Sequence, residues 1–186
     1  IKQTPIEDIA DNIQSQDNFT YYDELPQIYI DAVISAEDKR FEKHFGIDLF
    51  AISRAAWTDI KTFSFAEGGS TITQQVIKNN LLTQKQTYSR KLTEVMLAPA
   101  LESKFTKADI MEFYCNSNFY GNRCYGIETA SKFYFGCSAK DLTLAQAAML
   151  CGVSNSPNKY NPIASMELAK KKQAQVLEEM LADGYI

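Results

Sequence analysis

Apolar residues recur at helical rather than strand spacing along most of the chain. Tyr29, Ala32, Val33 and Ala36 fall at i, i+3, i+4 and i+7, so the stretch from Pro26 to Ala36 predicts a helix with one buried face. Pro26 suits its first turn, where a missing N–H removes nothing from the helix. Leu49, Ile52, Ala56 and Ile60 predict a second helix, capped by Asp48. Its end is aromatic, with Trp57, Phe63 and Phe65, before Gly68 and Gly69 break the chain. A third helix starts at Ser70 or Thr71, where Thr71 and Gln74 have capping-box spacing. Tyr88 to Glu102 carries Leu92, Val95 and Met96 as its expected core stripe, and Pro99 predicts a kink or a break. Thr106 begins another helix, with Ile110, Phe113 and Tyr114 inward and Glu112 beside them.

Gly126 to Gly136 reads as a short aromatic helix between loops. Thr143 with Gln146 caps a markedly apolar helix, Leu144 to Val153, expected at the centre of the core. The last helix, 164–182, lines up Ala169, Gln173, Val176 and Met180 and places Gly184 at its C-cap. Residues 1–24 are polar and poorly periodic and read as a loose arm. With strand signals nearly absent, the expected class is all-α.

A length of 186 residues and 45% hydrophobic content fit one globular domain and exclude a disordered chain. The net charge of −4 argues against a general nucleic-acid partner. No run of eighteen apolar residues exists, so no spanning helix is expected, nor is a signal peptide. The abrupt start at Ile1 reads as that of an excised fragment. The four cysteines form no C-x-x-C pair and lie far from the lone His44, which argues against a metal site. Cys115 and Cys151 fall on apolar helical faces and are expected to be buried thiols.

Candidate chemistry concentrates in three stretches. In AVISAEDKRFEKHFGI, Glu37 and Asp38 follow the apolar run at a helix C-terminus, where the macrodipole disfavours negative charge. An acid partly desolvated there is a candidate base, although a solvated helix end is the plain alternative. In GGSTITQQVIKN, flexible glycines precede a new helix N-terminus, an arrangement suited to a phosphate, with Lys78 two turns on. A well-capped surface helix explains the same pattern, but adjacent Gln74 and Gln75 are costly to bury without a purpose. In YSRKLTEVMLAPALE, Arg90 and Glu94 are four apart, which a structural ion pair also explains.

Taken in order from Ile28 to Pro162, these stretches resemble the peptidoglycan glycosyltransferase domain of class A penicillin-binding proteins and monofunctional transglycosylases. EDKRFEKHFG is similar to the first motif of that family, GGSTITQQVIKN to the second and RKLTE to the third. ADIMEFYCNSNFYG is similar to the fourth, although Cys115 stands where an aliphatic residue is expected, and LAQAAMLCGVSNSPNKYNP to the fifth. The resemblance implies a lysozyme-like fold with a large head lobe, a small membrane-facing jaw lobe and a cleft between them. It implies one glycosyltransferase domain over 1–186, with 1–24 as an arm and about 48–69 as jaw and mobile loop.

The implied reaction is polymerisation of lipid II into glycan strands with release of polyprenyl diphosphate. Glu37 would be the base and Glu94 the second catalytic carboxylate. Lys78 and Arg90, with Ser70, Thr71 and Gln74 nearby, would hold the donor diphosphate. Asp38, Phe41, His44, Lys91, Glu112 and Asn116 complete the implied substrate-binding set. No cofactor is required, a divalent cation such as Mg at the diphosphate being optional, and no metal ligands are expected.

The implied partners are lipid II, the growing glycan strand, the bacterial membrane surface, and a transpeptidase domain or other cell-wall synthesis proteins. The implied location is the outer face of the bacterial cytoplasmic membrane, with the anchor outside this chain. Elementary chemistry agrees: a sugar hydroxyl needs a positioned base, and a departing diphosphate needs cationic and N–H stabilisation. A lysozyme-like glycan hydrolase is the alternative, because both reactions pass through an oxocarbenium-like transition state. A non-catalytic lipid- or partner-binding module is a third, against which the presence of Glu37, Glu94, Lys78 and Arg90 speaks.

Overall fold

The computed structural model describes residues 6–53, 69–81 and 88–186. Eight helices carry the fold among these residues: α1 Ile6–Gln14, α2 Gln27–Glu37, α3 Ile72–Leu81, α4 Tyr88–Glu102, α5 Lys107–Ser117, α6 Ile127–Phe135, α7 Leu144–Asn155 and α8 Met166–Ala182. Residues 49–53 are also helical, and the one β-bridge among the described residues pairs Phe119 with Tyr125. The class is all-α, as expected. The expectations for Trp57, Phe63, Phe65 and Gly68, and with them most of the jaw, lie outside the described residues.

Helix α7 is the centre. Every residue from Ala147 to Val153 is buried, the condition under which a helix can be apolar all round. It packs on α2 and α8, while α3 packs on α4 and α5. The expected capping box of Thr143 with Gln146 is present, and the helix expected to begin at Thr106 also starts with a box, closed by Asp109. Helix α8 ends as its sequence predicts. Gly184 takes φ +82°, Tyr185 N–H bonds the Met180 carbonyl at 3.0 Å, and Gly184 N–H bonds that of Leu181 at 3.1 Å, which is a Schellman closure.

Three expectations from periodicity fail. The arm is not loose: α1 inserts Ile9 and Ile13 into the core. Leu92 and Met96 are not the core stripe of α4 but are 62% and 69% exposed. The buried face is Glu94, Ala98 and Leu101, because α4 turns its ion-pairing residues towards α3. Leu49 and Ile52 likewise face outward. Of the kink or break expected at Pro99, the break does not occur, since α4 continues through it.

Glu112 and Asn116, expected among the substrate contacts, instead tie the arm to α5. The Tyr22 N–H donates to Glu112 Oε2 at 2.7 Å. Asn116 accepts from Thr20 N–H and donates to the Thr20 and Glu112 carbonyls, each at 2.8 Å. Burial pushes the Glu112 carboxyl above the ordinary range, partly offset by the Tyr22 N–H. Replacing Asn116 by Ala strands both Thr20 backbone groups in a buried site, so stability should fall by about 2–4 kcal/mol. A urea midpoint equal to that of the parent would show that the clamp carries no weight.

Candidate active site

The last residue of α2 is Glu37, and its C-cap is Asp38. The two adjacent acids point to different tasks. Glu37 is half-buried, and each of its oxygens accepts one amide N–H: Oε2 from Gln75 of α3 and Oε1 from Asn155 at the end of α7, both at 2.9 Å. Asp38 is buried and turned inward. Its carboxylate meets His44 Nε2 at 2.9–3.0 Å and accepts the Ile72 N–H, the first of α3, at 3.0 Å. A carboxylate at a helix N-terminus is favoured by the dipole, so Asp38 fixes where α3 begins.

That contact changes the reading of the second stretch. The helix start expected to cradle a phosphate already holds an anion, the carboxylate of Asp38. The capping box is present as predicted: Gln74 N–H donates to Thr71 Oγ1 and Thr71 N–H to Gln74 Oε1, both at 3.1 Å. The Thr71 hydroxyl also donates to the Gly46 carbonyl at 2.7 Å. Thr71 and Gln74 are both buried, so their side chains hold the helix rather than a ligand.

Phe41 and His44 stand behind the site, not in it. Phe41 is buried with Lys107 Nζ 4.4 Å from its ring centroid, and the His44 side chain is buried with Nδ1 3.9 Å from Glu102. Glu102 in turn accepts from the Thr73 hydroxyl at 2.6 Å and Lys107 at 2.7 Å.

On α4, the buried Glu94 lies between Arg90 at 3.3 Å and Lys91 at 3.0 Å, so the i,i+4 ion pair exists. Lys91 also reaches Ser70 Oγ at 2.6 Å, which joins this cluster to the segment entering α3. Lys78 sits one turn beyond Gln75 on the same face of α3 and has no ionic or hydrogen-bonding partner among the described residues. Glu37, Asp38, Lys39, Arg40, Ser70 and Thr71 line one cleft, together with Glu179 of α8.

The site therefore assembles Glu37, Asp38 and Ser70 around one cleft, with Lys91 and Glu94 joined through Ser70 and Lys78 on α3. Sequence reasoning missed Asn155 and Gln75 as the partners of Glu37. Asn155 opens a turn-rich loop, where an Asn draws no notice; Gln75 was singled out only for the cost of burying it.

Among the described residues, a helical frame thus holds one carboxylate between two amides at a cleft, with cations nearby. The chain belongs to the transglycosylase family, whose model matches residues 2–181. It is 44% identical over 168 residues to penicillin-binding protein 1A of Neisseria flavescens and, equally, of Neisseria gonorrhoeae. In each case the match covers 90% of this chain and 21% of the relative. Against penicillin-binding protein 1A of Pseudomonas aeruginosa the identity is 42%, over 88% of this chain and 20% of the relative. The chain thus spans about a fifth of the length of the curated relatives it matches.

Proposed function

We propose that this domain is a peptidoglycan glycosyltransferase that polymerises lipid II into glycan strands. The growing strand, carried on polyprenyl diphosphate, is the donor and a new lipid II the acceptor. The acceptor hydroxyl oxygen forms a bond to the anomeric carbon of the donor, and the carbon–oxygen bond to the diphosphate breaks. The hydroxyl proton goes to Glu37, and the electron pair leaves on the diphosphate. The observation that carries this reading is the placement of Glu37 against Gln75, with Lys78 one turn further along the same helix face. The helix that holds the base through Gln75 thus also carries the counter-charge for the leaving group.

Lys78 and Arg90 bind the donor diphosphate, and Glu94 organises Arg90 and Lys91 beside it. Glu94 remains the second carboxylate of this reading, assisting at the donor side through Arg90 and Lys91. Among the described residues, no three His, Cys, Asp or Glu are arranged so that they could hold a metal ion. No step is assigned to a divalent cation.

The substrate's lipid tail requires a cleft near the bilayer, and the outward Leu49 and Phe50, 72% and 67% exposed, support an interfacial position. No helix among the described residues is long and apolar enough to cross a membrane. The reading places the domain at the outer face of the cytoplasmic membrane, within a longer protein whose penicillin-binding relatives support a transpeptidase region.

Incubation with lipid II and separation of products by length tests the function. A ladder of glycan strands is expected; shortening of preformed strands without polymerisation would establish the hydrolase instead. In the same assay Lys78→Ala should slow transfer by about 10- to 100-fold, the worth of one charge-assisted contact, and weaken donor binding. Unchanged donor affinity would remove Lys78 from the diphosphate site.

A further inference from the structure

We propose that Asn155 is a positioning residue for the transfer reaction, one half of a two-sided amide clamp whose other half is Gln75. The proposal rests on Glu37 being the base. Glu37 is the last residue of α2 and only half-buried, so its side chain has several torsions to lose before it can meet a hydroxyl. Two donors remove that freedom from opposite sides, Gln75 Nε2 on Oε2 and Asn155 Nδ2 on Oε1, each at 2.9 Å. A carboxylate offers about four acceptor positions, so two remain to receive the substrate proton.

The two halves differ in where they are anchored. Gln75 shares α3 with Lys78 and sits on the side of the leaving group. Asn155 closes α7, whose preceding turns are wholly buried and which packs directly on α2. Its position relative to Glu37 is therefore set by the centre of the core. Asn155 is itself exposed, so its side chain contributes little to packing.

The charge of the donors matters as much as their place. Both are neutral amides, which orient a carboxylate without forming an ion pair with it. Glu94 is the contrast: Arg90 and Lys91 lie at 3.3 and 3.0 Å from its oxygens. Two carboxylates near one site are thus given different tasks by their partners, amides for the one that takes a proton and cations for the one that does not. The other titratable groups about Glu37 are Asp38, Lys39, Arg40 and Asp48 lining the same cleft, Glu179 from α8, and the buried Tyr114 of α5 and Cys151 of α7. None of them changes when position 155 is altered.

The test compares Asn155→Ala and Asn155→Asp with the parent on lipid II, alongside Glu37→Gln. With Asn155→Ala, kcat should fall by about 10-fold, the worth of one hydrogen bond to a charged group, with KM and the unfolding midpoint held. With Asn155→Asp, a second carboxyl stands beside Glu37 Oε1 and the pair shares a proton. The acid limb of the kcat–pH profile should then move up by about one pH unit or more. A kcat for Asn155→Ala within twofold of the parent, or an acid limb unmoved in Asn155→Asp, would overturn the clamp. So would a loss of rate matched by a loss of stability with the limb unmoved, since that is the signature of a structural residue. If Glu37→Gln turns over normally, the base itself is misassigned and the clamp falls with it. If Glu37→Gln is inactive while the Asn155 variants are silent, only the clamp falls.

Discussion

Glu37→Gln should leave the unfolding midpoint where it is and lower turnover of lipid II by roughly 10²–10⁴-fold, the usual loss when a positioned base is removed. The side chain keeps its length and planarity, so packing at the end of α2 is undisturbed. Only one oxygen remains to accept, and the substituted amide presents N–H to one of its two partners. Gln75 and Asn155 can each rotate their own amide to offer an oxygen instead, so neither interaction need be lost. What cannot be restored is the lone pair that takes the proton. The measurement is single-turnover rate together with a denaturation curve. Turnover near that of the parent would remove Glu37 from the chemistry.

The largest effect on stability is expected at Gly46. It adopts φ +81°, and a Cβ there would lie 2.6 Å from the Ala98 carbonyl carbon, 2.7 Å from its oxygen and 2.9 Å from Pro99 nitrogen. These are backbone atoms of α4 and cannot swing aside as a side chain would. The left-handed backbone alone costs about 1–2 kcal/mol in a residue with a Cβ. Separating the segment from α4 would also disturb the carbonyl that receives Thr71 Oγ1, and with it the start of α3. Gly46→Ala should therefore cost about 3–5 kcal/mol in all, as other disruptions of tight packing do. Gly136 supplies the control, since it has φ +70° with nothing within 4 Å of a new Cβ. Gly136→Ala should cost only the backbone part, and equal losses in the two would show that the close approach contributes nothing.

Features fixed by near neighbours were legible in the sequence. The Thr71–Gln74 and Thr143–Gln146 boxes, the buried α7 and the placement of Glu37 at a helix end all follow from residues within a few positions of one another. What depends on distant partners was not. The pairs Tyr22–Glu112 and Thr20–Asn116 span 90 and 96 residues, so nothing local marks α5 as the anchor of the arm. Helix α4 misled for a related reason. Its apolar residues outnumber its charged ones, but the segment entering α3 offers Ser70 to Lys91, and Glu94 goes inward while Leu92 goes outward. For Asp38 the sequence places the acid beside Glu37 but not its partner, since only the fold brings the Ile72 N–H to it.

The spacing of Gln75 and Lys78 makes α3 a ruler. Three residues of helix advance about 4.5 Å and return to nearly the same face, so the backbone distance from the amide that holds Glu37 to the lysine assigned to the phosphate is written in turns. Side-chain substitutions at either end leave that distance unaltered. Adding a single residue between them would swing Lys78 by about 100° around the axis, away from the face it shares with Gln75, even though both residues would still be present.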